Sequence, residues 1–198
     1  MDPFIAQLAA LCRAEPMRAK WVLVPSHAMG RMIGERLVRE GTNWVNLRCT
    51  TPYALAFRMA GPALASGGLR PMHPSRGAVI VDECLATLAG PDAVTDEPYL
   101  RTLYALGSAG ASVWRTLAEL RMAGIEAHAL EEAEEIPLEK RCGLGALLRA
   151  VDDWLRAAGE CDQATVFAEA LTWRLARLCR SARQTRVRLA PRGVATET

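Results

Sequence analysis

The residues that could do chemistry in this chain lie in VLVPSHAMGRMIGERL, residues 22–37. A phosphate loop follows a buried strand, opens a helix, and reads G-x-x-x-x-G-K-[ST]. In that frame the chain has Pro25, then Ser26, His27, Ala28 and Met29, then Gly30, Arg31 and Met32. The spacing and the second glycine are kept. Proline replaces the first glycine and lacks an N–H to turn tightly around phosphate. Arginine replaces the lysine, keeping the charge but presenting a planar fork. Methionine replaces the hydroxyl, and a thioether is no ligand for Mg²⁺. Such a segment keeps the positive end of a helix dipole for an anion. It is expected to bind phosphate weakly through Pro25, Ser26, His27, Gly30 and Arg31, without hydrolysis. The plain alternative is a strand–turn–helix that binds nothing.

Other candidates carry less. AVIVDE, residues 78–83, resembles a strand ending in Mg²⁺-binding carboxylates. Ile80, Cys84 and Leu88, with Val81 and Leu85, fall at helical spacing, so Asp82 and Glu83 are expected on an exposed helix face. Glu131, Glu132, Glu134 and Glu135 suit a solvated face, and Asp162 suits a helix N-cap. Trp114, Trp154 and Trp173 sit on apolar helical stripes, which suits core packing. Six cysteines, at 12, 49, 84, 142, 161 and 179, and three histidines are scattered, so neither a zinc nor an iron–sulfur site is expected. No metal or cofactor is expected, and no catalytic residue stands out.

The elements that position these residues follow from periodicity. Residues 3–14 are predicted helical and 21–24 a buried strand. Helix 28–40 ends at Gly41, strand 44–49 follows, and Thr51-Pro52 opens a further helix to about residue 60. The two strands are expected to pair in parallel across the helix. Residues 61–77, rich in Gly and Pro, read as a loop. Helices are predicted near 75–89, 97–106, 109–123, 127–134, 138–158 and 163–180, with a possible strand at 185–189. The fold class is α/β, helix-rich, with a small parallel sheet and a mostly helical second half. The expected domains are 1–66, 67–180 and a basic tail at 181–198.

The 198 residues carry a net charge of +2, so bulk charge selects no partner. The cations are arginines apart from Lys20 and Lys140. The N-terminus lacks a basic n-region, and no apolar run reaches the roughly 20 residues that span a bilayer. A cytoplasmic protein away from membranes, with reduced thiols, is expected.

Four segments resemble the N-terminal region of the AddB-type subunit of bacterial helicase–nuclease complexes, members of the PD-(D/E)XK nuclease family. They are WVLVPSHAMGRMIGERL, VNLRCTTPYALAFRMA, TLAELRMAGIEAHAL, and helix 138–158 running into Cys161-Asp162-Gln163-Ala164. Together they cover about residues 20–170. The resemblance implies a superfamily 1 helicase fold that has lost ATPase function. It implies a role in DNA repair and recombination, holding DNA beside an AddA-type helicase–nuclease subunit. On it, Arg31 stands where the lysine would, and Thr50 and Thr51 stand where helicases contact single-stranded DNA. The family's nuclease carboxylates and cluster cysteines lie in sequence this chain does not contain. Two other readings stay open: a nucleotide-using phosphotransferase or ATPase, and an inert fragment.

Overall fold

The computed structural model describes residues 2–93 and 97–174. The chain divides into two compact units, Met1–Met59 and a second that begins at Ala60.

The first unit starts with α1 (Pro3–Ala14). Asp2 caps it by accepting from the Phe4 amide at 2.9 Å, and Pro3 takes the first-turn position, where a missing N–H costs nothing. β1 (Lys20–Leu23) and β2 (Leu47–Thr50) pair in parallel, Lys20 opposite Leu47 and Leu23 opposite Thr50, and α2 (His27–Arg39) joins them. Ile5, Leu8 and Cys12 of α1 pack with Ile33 and Leu37 of α2 and with Val24 and Leu47. Gly41 ends α2 at φ 72°, and the Thr42 amide reaches back to the Leu37 carbonyl at 2.9 Å, a left-handed cap only glycine adopts freely.

Two details of this unit differ from the sequence expectation. Strand WVLV is not buried throughout: Lys20 and Val24 are buried, whereas Trp21 and Leu23 are exposed. Lys20 is inside because its ammonium meets the carbonyls of Glu15 (2.6 Å), Arg18 (2.8 Å) and Pro16 (3.3 Å) just beyond α1. Strand 44–49 starts later, at Leu47. Asn46 has φ 56° and donates to the Met17 carbonyl at 2.9 Å, while the Trp44 indole turns back to the Gly34 carbonyl at 3.3 Å.

Helix α3 (Pro52–Ser66) runs past residue 60, where a loop was expected. Pro62 lies inside it, and its ring removes the bond that the Arg58 carbonyl would have accepted. The Gly/Pro signal therefore marks only the segment after Ser66. There β3 (Arg70–Pro71) pairs in parallel with β4 (Glu160–Cys161), two strands too short to leave a periodicity.

The second unit is helical: α4 (Arg76–Ala89), α5 (Pro98–Ala105), α6 (Gly110–Met122), α7 (Ala127–Glu131), α8 (Leu138–Ala158), and α9, described over 163–174. Its core is the stripe of Ile80, Val81, Cys84 and Leu85 on α4 against Leu117 on α6 and Leu147, Leu148 and Val151 on α8. Trp114 and Trp154 flank this core, half-buried. The proposed strand at 185–189 and the basic tail lie outside the described residues. At the coarse level the described residues form a helix-rich α/β protein with two small parallel sheets of two strands each.

Candidate functional site

The turn after β1 is short. Val24 donates to the Thr50 carbonyl at 2.9 Å, which ties the strand end to β2. Pro25 follows, and Ser26 caps α2 by accepting from the Met29 amide at 3.2 Å. The helix is under way at His27, three residues before Gly30. The Gly30 amide already donates to the Ser26 carbonyl. Residues 27–30 thus form a first helical turn rather than a loop that wraps phosphate. By helix geometry the amides of His27 and Ala28 are left without a carbonyl partner.

Gly30 has a packing reason to be glycine. A Cβ built on it would lie 2.7 Å from Cys49 Cβ on β2, closer than side chains approach. A Cβ on Gly34 would meet the Trp44 ring at 3.1 Å. The two glycines, one helical turn apart, let α2 lie close on β2 and Trp44. Beside this contact runs an open groove of about 690 Å³, lined by His27, Gly30, Arg31, Gly34, Trp44 and Cys49 among others. His27 and Arg31 are exposed. Arg31 and Arg39 bring positive charge to the groove, against the single carboxylate of Glu35. The groove offers no cluster of oxygen ligands for a divalent cation, and Met32 occupies the hydroxyl position with its side chain exposed. Among the described residues there is no group of three or more His, Cys, Asp or Glu placed to hold a metal.

Thr50 and Thr51 have local roles. Thr50 is 7% exposed at the end of β2. Thr51 caps α3, its hydroxyl accepting from the Ala54 amide at 3.1 Å. Asp82 and Glu83 lie on α4, as the helical spacing predicts, and Glu83 accepts from the Trp154 indole at 2.9 Å. Burial pushes the Cys49 and Cys161 thiols up, with Asp162 and Glu160 adding to the shift at Cys161. Burial, with Glu83 beside it, takes Cys84 to about 11. These three thiols are protonated at neutral pH and poorly suited to nucleophilic work.

No protein-family model, curated protein or solved structure matches the chain.

The first unit carries a further grouping that the periodicity of the sequence does not reveal. On the outward face of the sheet, Trp21 is 44% exposed. Arg48 of β2, its direct cross-strand neighbour, lies over the indole at 5.3 Å, and Arg58 of α3 lies over it at 5.2 Å. Both arginines are exposed. Neither forms an ion pair with a carboxylate among the described residues. On α3 the rings of Tyr53 and Phe57 stack with centroids 6.3 Å apart, both partly exposed. The signal was available: Trp21, Leu23 and Arg48 have the parity of one sheet face once the register is known. Periodicity gives no register, and it cannot bring Arg58 to Trp21.

In the second unit Arg121 forms the densest polar contact. Its guanidinium donates to Asp162 at 2.6 Å and also to Asp152. Asp162 in turn accepts from the Thr165 amide (3.0 Å) and hydroxyl (2.8 Å), capping α9 as expected. Burial by itself would raise the Asp162 carboxyl. Arg121 and Thr165 more than offset that and hold it below its ordinary 3.8. Arg121 and Asp162 satisfy each other inside the protein, so this cluster is a latch between α6, α8 and α9.

Proposed function

We propose that the chain is a non-catalytic, DNA-holding scaffold region of a helicase–nuclease subunit acting in double-strand break repair and recombination, docking to an AddA-type partner. The observation that carries the DNA part is charge segregation. Residues 1–59 hold eight Lys/Arg against four Asp/Glu, a net +4, while the rest of the chain holds 16 against 18, a net −2. A basic unit on a nearly neutral chain is an electrostatic footprint for a polyanion. The partner and the pathway rest on the sequence resemblance. The non-catalytic part is supported by a helix that begins at His27, by Gly30 engaged in packing, and by the lack of a hydroxyl at Met32. The phosphotransferase reading needs Asp82 or Glu83 at a strand end, and α4 holds both on a helix. No helix among the described residues is long and apolar enough to cross a membrane.

Hydrogen exchange of the full chain with and without an oligonucleotide tests this reading. Added DNA is expected to protect amides within residues 1–59. Protection confined to the acidic remainder of the chain, or none at saturating DNA, would overturn it.

A further inference from the structure

We propose that Trp21, Arg48 and Arg58 form a contact for single-stranded DNA, the two guanidiniums taking phosphates of one strand. This rests on the DNA-holding reading and locates it on one face of the sheet. Strand alternation turns Lys20 inward and Trp21 and Leu23 outward, and the parallel register sets Arg48 beside Trp21. α3 brings Arg58 to the same ring. A guanidinium lying over an indole gives up little of its hydrogen-bonding edge and loses conformational freedom in advance, which favours forked contacts to phosphate oxygens.

Two cations share one indole, and among the described residues no carboxylate pairs with either. Both guanidiniums are exposed and open to an anion, which is charge complementarity toward a polyphosphate. Both lie within about 5 Å of one ring centroid, so both fall within the span of a few nucleotides. The single strand is favoured by exposed aromatic surface elsewhere on α3. Phe57 is 39% exposed and stacks with Tyr53, an aromatic surface for unpaired bases. A duplex keeps the faces of its bases hidden from such a surface.

The test compares the full chain with an Arg48→Gln/Arg58→Gln variant, each titrated into a labelled thymidine oligonucleotide and into a duplex of equal length, across a salt series. Arg115→Gln, an exposed arginine on α6 outside residues 1–59, is the control. Circular dichroism checks that each variant is folded, and the two single variants are read in the same way. The parent chain is expected to bind the single strand more tightly than the duplex. The double variant is expected to lose about tenfold or more at low salt, with a salt slope shallower by about 0.7 for each phosphate contact removed. The control should stay within about twofold, as for a residue outside the contact. In Trp21→Leu the quenching of tryptophan emission by the oligonucleotide should diminish. Unchanged binding by the folded double variant, or tighter binding to duplex, would overturn this site while leaving DNA holding intact. A folded parent chain that binds neither DNA would overturn both.

Discussion

Replacing Asp162 with alanine is expected to destabilise the chain by about 3–5 kcal/mol, the range for breaking a buried ion pair from one side. Asp162 is 4% exposed and the Arg121 side chain 11%, so solvent screens the pair little. Alanine removes three things: the acceptor at 2.6 Å from Arg121, the cap on the Thr165 amide, and the charge that compensates a buried guanidinium. Asp152 still touches Arg121 but is 42% exposed, so it repays only part of the loss, and Asp152→Ala alone is expected to cost much less. Urea denaturation at neutral pH measures both. An Asp162→Ala midpoint equal to that of the parent would refute the latch. The acid limb gives an independent check. The folded-state pKa of Asp162 lies below its ordinary 3.8, so its stabilisation is fully present above 3.8 and is lost as pH falls through the lower, folded value. The stability gap between parent and Asp162→Asn should therefore be constant near neutrality and narrow only below that point.

Gly30→Ala is expected to destabilise the ligand-free chain by about 1–3 kcal/mol, the usual cost of overpacking. Two effects oppose each other. Alanine favours a helix interior by about 1 kcal/mol over glycine. Its methyl would sit 2.7 Å from Cys49 Cβ, an atom one bond from the β2 backbone that cannot swing away as a long side chain can. The clash wins because α2 or β2 must shift as a whole. The result separates two accounts of this glycine. A glycine kept for close approach of a phosphate would leave the melting temperature of the ligand-free chain unchanged or raised. A packing glycine lowers it with no ligand present.

What the sequence made legible follows the physics of each element. Long helices with sustained periodicity are set by one repeating apolar face, and 138–158 is legible to the residue, whereas 75–89 differs by one residue at its start and 109–123 by one at each end. The Ser26 and Asp162 caps are local chemistry; Asp162 was legible as a cap because its partners lie within three residues. The Gly61-Pro62 pair misled because a proline signal is local, and the helix it interrupts continues to Ser66. β3 and β4 were invisible because two-residue strands exist only through pairing 90 residues apart in sequence. The P-x-x-x-x-G frame matched a phosphate loop in spacing. Spacing cannot tell a loop amide from a helical one, and the difference appears only once Ser26 starts the helix. The Trp21 cluster needed both the strand register and the path of α3, neither of which a single sequence carries.

We propose that this chain holds DNA and does no nucleotide chemistry. The most direct test titrates the purified chain into a fluorescent duplex with a single-stranded overhang, reading anisotropy across a salt series with and without Mg-ATP. The account predicts binding that weakens steeply with salt, is indifferent to Mg-ATP, and proceeds with no phosphate release. A folded chain that fails to bind at low salt, or one whose binding tracks ATP turnover, would contradict it.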